Sequence, residues 1–120
     1  MREIKFRVWD KLLKRMLSWE WVHDNFFSRI FDYPNMIPMQ YTGIEDKSGK
    51  EIYEGDLIQN EYGRICEVVW MEHAGCWDAH VRKFGAESKG GHLGFQNNEW
   101  PRHVIIIGNI YENPELLETK

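Results

Sequence analysis

Cysteine is almost missing from this chain: its 120 residues include two, Cys66 and Cys76. Two cysteines cannot build the bridge framework of a disulfide-rich secreted domain, so the chain must fold on an apolar core and fits a reducing cytoplasm. Long apolar runs are lacking as well. No stretch approaches the roughly 18 apolar residues of a membrane-spanning helix. The start, Met1-Arg2-Glu3-Ile4-Lys5-Phe6, alternates charged and apolar residues without the apolar h-region of a signal peptide. Nor is there a basic excess: 15 Lys and Arg face 19 Asp and Glu, a formal net charge of −4. That balance disfavours broad phosphate-backbone binding, although a local basic face can survive inside it. Two catalytic signatures are also missing. There is no Gly-x-Ser-x-Gly elbow, and Ser48-Gly49-Lys50 matches a phosphate-cradling loop only as a fragment that lacks the first glycine. The expectation is a soluble, cytoplasmic, non-enzymatic protein without a cofactor.

What is present speaks for strands. Apolar residues make up 42% of the chain, enough for a core, and 14% is aromatic, with six Trp, rings that pack well on a pleated surface. Ile4, Phe6 and Val8 alternate with Lys5, Arg7 and Trp9, the period of a half-buried strand. Met16 to Val22, with Leu17, Trp19 and Trp21 on one side, reads as its partner across a turn at Asp10–Lys14. Residues 24–38 are apolar without clean periodicity and read as an irregular loop with one helical turn. Asp46-Lys-Ser-Gly49 has the composition of a hairpin turn, and Glu54-Gly55-Asp56 that of a sharp bend ahead of the apolar Leu57–Ile58. Residues 61–64 form another turn. Cys66–Met71 and Trp77–Lys83 read as an antiparallel pair around His73–Gly75. Residues 85–98 read as a long Gly-rich loop. Val104–Ile107 is a continuous apolar run, expected of a strand buried on both faces. Asn113-Pro114-Glu115 carries a helix-start signature, with Asn113 as the cap.

These readings predict a mainly β fold: a small barrel-like domain, SH3-like in its short antiparallel strands, with a short C-terminal helical turn. The length fits one domain, 1–120, divisible into an N-terminal hairpin subdomain, 1–38, and a barrel core, 39–120.

Three groups of residues could carry chemistry. Cys66-x6-His73-x2-Cys76-x3-His80 has the ligand types for zinc, but the spacing matches no standard finger. A core Cys66 with surface histidines is the preferred reading, and a metal-supported enzyme the lesser alternative. Glu51, Glu54 and Asp56 lie close together; paired carboxylates can split their pKa values, yet acids around a turn more often serve as rim charges and backbone caps. No catalytic residue is assigned. Lys5, Arg7, Lys11, Lys14 and Arg15 interleave with Trp9 and Trp19, a mix that can track and stack a nucleic acid, against the plainer reading of a solvated hairpin over core rings. Phe26, Phe27, Phe31, Tyr33 and Met36 form a candidate interface. If exposed they favour self-association; otherwise their loop folds back over the barrel.

Three ordered blocks, 2–10, 39–56 (Met-Gln-Tyr-Thr-Gly-Ile-Glu-Asp-Lys-Ser-Gly-Lys-Glu-Ile-Tyr-Glu-Gly-Asp) and 107–117 (Ile-Gly-Asn-Ile-Tyr-Glu-Asn-Pro-Glu-Leu-Leu), resemble the YopX family of small proteins encoded by bacteriophages and prophages. Segments 20–36 and 84–102 are variable between them. The resemblance implies a protein of the bacterial host cytoplasm with a mainly β, barrel-like, oligomerising fold. It implies no enzymatic activity and transfers no catalytic residues. The leading expectation is a homo-oligomeric binding module for a phage or host protein. A nucleic-acid-binding accessory protein is the alternative.

Overall fold

The computed structural model describes residues 3–25, 32–83 and 103–117. Among these residues eight strands form two antiparallel four-stranded sheets, one of them a half-barrel. The first sheet has the order β2-β1-β3-β4, from β1 (Phe6–Asp10), β2 (Arg15–Leu17), β3 (Met36–Glu45) and β4 (Glu51–Tyr53). The second has the order β7-β6-β5-β8, from β5 (Asp56–Asn60), β6 (Ile65–Met71), β7 (Cys76–Lys83) and β8 (Val104–Asn109). Helix α1 (Trp19–Asn25) follows β2, and a 3-10 turn at Pro114–Leu117 follows β8. None of the described helices is long and apolar enough to cross a membrane.

Two clusters form the described core. Ile52 of β4 in the first sheet joins Ile58, Cys66, Val68, Ala79 and Val104 of the second, all fully buried, so this cluster is shared between the sheets. Val8, Leu17 and Val22 form a second cluster beneath the opening hairpin, with Trp19 and Met36 packed against it. The β3 strand runs through the 38/39 boundary. Its first half pairs with β1 from Phe6↔Gln40 to Asp10↔Met36, and its second half pairs with β4 at Tyr41↔Tyr53 and Glu45↔Glu51, with a bulge between Tyr41 and Glu45. Gly43 sits inside that bulge with a φ of 87°, a left-handed conformation that only glycine adopts at little cost.

Several local readings need correction. Met16–Val22 is not one strand. Pairing stops at Leu17, and Ser18 starts a helix by accepting the Trp21 N–H on its Oγ at 3.4 Å while its carbonyl accepts the Val22 N–H. The Leu17–Trp19–Trp21 alternation masked a helical one, because Trp19 and Val22 face the same cluster at i, i+3 spacing. Pro38 lies in β3 and not in a loop. Its half of β3 pairs with β1 alone, so the missing N–H falls on the open side of the strand. In β8, Val104 is buried but Ile105 is 44% exposed, because this strand is at the edge of its sheet and has one face in solvent. The 3-10 turn begins at Pro114 as expected. The Asn113 side chain, however, turns back to accept the Asn109 N–H at 3.2 Å instead of capping forward. The predicted loop at 85–98 lies outside the described residues.

The turn at Asp46 does more than reverse the chain. Asp46 Oδ1 accepts the Ser48 N–H, the Ser48 hydroxyl and the Lys50 N–H at 2.8–2.9 Å, and Oδ2 accepts the Ile106 N–H of β8 at 2.9 Å. The Lys47 N–H donates to the Val104 carbonyl. One side chain therefore shapes a hairpin of the first sheet and covers the open border of the second, where unpaired amides would otherwise invite another strand. Burial pushes the Asp46 carboxyl up, but these hydrogen bonds outweigh it and hold the group below its ordinary value. Asp10 is also held low, by the Leu13 N–H first and then by the Asn35 amide, the Leu12 N–H and Arg15. Carboxyls depressed in the folded state contribute stability above their unfolded value of 3.8, and that contribution is lost as pH falls through their folded values. The Asp46→Asn variant should lose about 1–2 kcal/mol at pH 7. It should also show a shallower loss of stability below pH 4 than the wild type, read from urea unfolding at several pH values; an unchanged acid limb would exclude Asp46 as its source.

Candidate ligand-binding site

The two sheets meet at the Glu54-Gly55-Asp56 bend, which joins β4 to β5. Gly55 is tied on both sides: its N–H donates to the Val68 carbonyl and its carbonyl accepts the Ile110 N–H. Its φ is 87°, and an added Cβ would stand 3.1 Å from Met39 Sδ. This position therefore needs glycine both for its conformation and for the close approach of β3.

Asp56 is almost fully buried at the start of β5. Its Oδ2 accepts the Tyr53 N–H at 2.7 Å and its Oδ1 lies 2.8 Å from Arg7 Nη2 of β1. The same Nη2 donates to the Glu54 carbonyl at 3.2 Å, and the guanidinium stands 5.0 Å from the centre of the Tyr53 ring. Burial raises the Asp56 carboxyl, and the Arg7 charge and the two hydrogen bonds pull it back. Burial also pushes the Tyr53 phenol up to about 12. Beside this pair, a polar cleft of about 270 Å³ opens between Lys50, Asn109 and Glu112. Arg7 Nε is buried and has no acceptor among the described residues.

On the other side of the bend lies a second cleft of about 230 Å³. Its lining includes Gly55, Met39, Trp70 and Tyr111, together with Glu54 and Glu67, whose carboxylates are close enough to repel. Burial raises the Glu54 carboxyl and the neighbouring Glu67 charge raises it further, while a hydrogen bond from Gln40 and the Arg7 charge work in the opposite sense. Glu67 is held by Arg82, whose Nη1 approaches Oε1 at 2.5 Å.

The three acids singled out in the sequence thus part company. Glu51 pairs with Lys5, Asp56 with Arg7, and Glu54 faces the second cleft. Cys66 is buried on the core face of β6, whereas His80 is exposed and pairs with Glu67, a register position on the opposite face. His73 and Cys76 are exposed at the β6–β7 turn. No group of three His, Cys, Asp or Glu that could hold a metal ion occurs among the described residues. In the basic hairpin, Lys5, Arg7 and Arg15 all have carboxylate partners, Trp9 stacks on Tyr111 at 5.7 Å, and Trp19 packs against Phe6. Of the candidate interface, Met36 packs on the hairpin core and Tyr33 is exposed; Phe26, Phe27 and Phe31 lie outside the described residues. Sequence reasoning missed Glu67 and Tyr111. Nothing in their local pattern distinguishes them from any strand or turn residue.

The bend and strands β3 to β8, though not β1 and β2, fall within the residues, 23–118, that match the model of the YopX protein family. The chain belongs to that family. A crystal structure of protein EF1440 from Enterococcus faecalis has the same fold, with a TM-score of 0.67 at 24% identity over 98% of this chain and all of that one. No curated protein matches the chain.

The Arg7–Asp56 pair has a measurable consequence. Arg7→Met should cost about 3 kcal/mol, because it leaves a buried carboxylate without its cation. The double variant with Asp56→Asn should lose less than the sum of the single losses, by at least about 1 kcal/mol. Urea unfolding of the four proteins gives the coupling, and additive losses would show that the pair is not an energetic unit.

Proposed function

We propose that this protein is a non-catalytic binding module of a phage or prophage, acting in the host cytoplasm, which self-associates and holds a protein partner. The observation that carries this reading is apolar surface at one end of the first sheet. Leu12 and Leu13, at the tip of the opening hairpin, are 77% and 60% exposed. The tip is fastened to the 33–35 turn, since the Lys11 N–H donates to the Asn35 carbonyl and the Asn35 amide to Asp10. That places the exposed Tyr33 in the same neighbourhood. Two adjacent exposed leucines beside a tyrosine are unfavourable in water and gain by contact with another surface.

The absence of catalysis is supported by where the acids go: Asp10, Asp46 and Asp56 accept structural hydrogen bonds, and Glu51 and Glu67 have cationic partners. A protein partner is favoured over a nucleic acid for a related reason. Three of the five basic residues in the opening hairpin are neutralised within the fold, and its two tryptophans pack intramolecularly.

Light scattering across a wide concentration range should give a mass above that of one chain. The Leu12→Lys/Leu13→Lys variant should associate about 100-fold more weakly, a loss of about 2.7 kcal/mol, with unchanged thermal unfolding of the monomer. A wild-type protein that stays monomeric throughout would overturn self-association.

A further inference from the structure

We propose that the cleft between Glu54 and Glu67 receives a cationic side chain, the ammonium or guanidinium group of a Lys or Arg carried by a partner polypeptide. This assignment rests on the reading of the protein as a protein-binding module and supplies the chemistry of one of its contacts.

The argument begins with charge. The cleft brings two carboxylates together, and the described residues supply only part of the compensating charge. Arg82 reaches Glu67. No Lys, Arg or His among the described residues lies within ion-pair distance of the Glu54 carboxylate. The nearby Arg7 spends its Nη2 on the Glu54 backbone carbonyl and on Asp56. Glu54 is half-buried and stands next to a second negative charge, and its carboxyl is displaced upward accordingly. A cation entering the cleft would remove that mismatch, because attraction between opposite charges grows as water is excluded.

The walls fit the same occupant. Trp70 is 43% exposed and its ring is held in an edge contact with Trp77, 5.0 Å between centres. Tyr111 is held by stacking on Trp9. Two fixed aromatic rings beside carboxylates are the combination that binds ammonium and guanidinium groups, through the negative faces of the rings. Met39 and the bare backbone of Gly55 offer an apolar base for a methylene stem. A cleft of about 230 Å³ is too small for most drug-sized ligands, which occupy roughly 300–1,000 Å³, but it holds one long side chain. An anionic or purely apolar group would leave Glu54 uncompensated. The net charge of −4 further favours a basic segment as the source.

The test uses the full chain, labelled with nitrogen-15, and the capped tripeptides acetyl-Gly-Lys-Gly-amide and acetyl-Gly-Arg-Gly-amide, with a norleucine peptide as the uncharged counterpart. The basic peptides should shift the Trp70 indole and the Ile110 and Tyr111 amide resonances saturably. The norleucine peptide should leave them in place. Glu54→Gln, which keeps the shape and removes the charge, should weaken binding about tenfold, equivalent to about 1.4 kcal/mol, while Glu115→Gln should not. Trp70→Leu should also weaken it. Equal shifts with norleucine, an unaffected Glu54→Gln variant, or no shifts at these resonances would each overturn the proposal. Spermidine binding more tightly than either peptide would overturn the polypeptide source in favour of a free amine. The hairpin-tip variant leaves the cleft intact, so failure of the cleft and failure of self-association are read separately.

Discussion

The fold depends on one buried ion pair. Arg7 lies on β1 of one sheet and Asp56 begins β5 of the other, and their 2.8 Å contact crosses the junction between them. A buried pair of this kind adds little net stability, because removing both charges from water costs nearly as much as their attraction returns. Its importance is positional. Asp56 also accepts the Tyr53 N–H, and Arg7 also reaches the Glu54 carbonyl, so the pair sets the angle of the bend on both sides of Gly55. Shifting either strand by one residue would bury an unpaired charge, and that cost enforces a single register.

The rest of the junction reinforces this geometry with neutral and charge-assisted hydrogen bonds. Asp46 reaches from the first sheet to the Ile106 N–H, and the Gly55 amide and carbonyl bond to β6 and to the segment after β8. The two clefts are what remains open on either side of that crowded bend. One is polar and lies along Arg7 and Asp56; the other is anionic with aromatic walls. Both lie where the two sheets meet at the two-residue link Glu54-Gly55. A ligand site at this place needs no element of its own and uses side chains whose backbone is already fixed.

Much of the strand layout was legible locally. The β1–β2 hairpin, the turn at 46–49, the bend at 54–56 and the β6–β7 pair around 73–75 all follow from alternation interrupted by Gly, Asp and Asn, whose turn preferences act over a few residues. The helix at 19–25 was hidden because Trp19 and Trp21 alternate as a strand would, and only packing against Val8 decides that Trp19 and Val22 share a face. The exposure of Ile105 was hidden because an apolar run carries no information about which strands border it. Of the candidate site, Glu54 drew notice only as one of three clustered acids, with Glu51 and Asp56, and was read as a rim charge or cap. Its companion Glu67 and the ring of Tyr111 drew none, since each comes from a distant part of the chain.

Sequence by itself determined the class of fold, the places where the chain turns and the family to which it belongs, since all three rest on short-range patterns of polarity and backbone preference. Tertiary structure alone decided which acid meets which base. Arg7 finds Asp56, Lys5 finds Glu51, and Glu54 is left facing Glu67 and two rings. The reason is physical: charge compensation depends on distance in space and on exclusion of water, and neither is written into the order of residues along a strand.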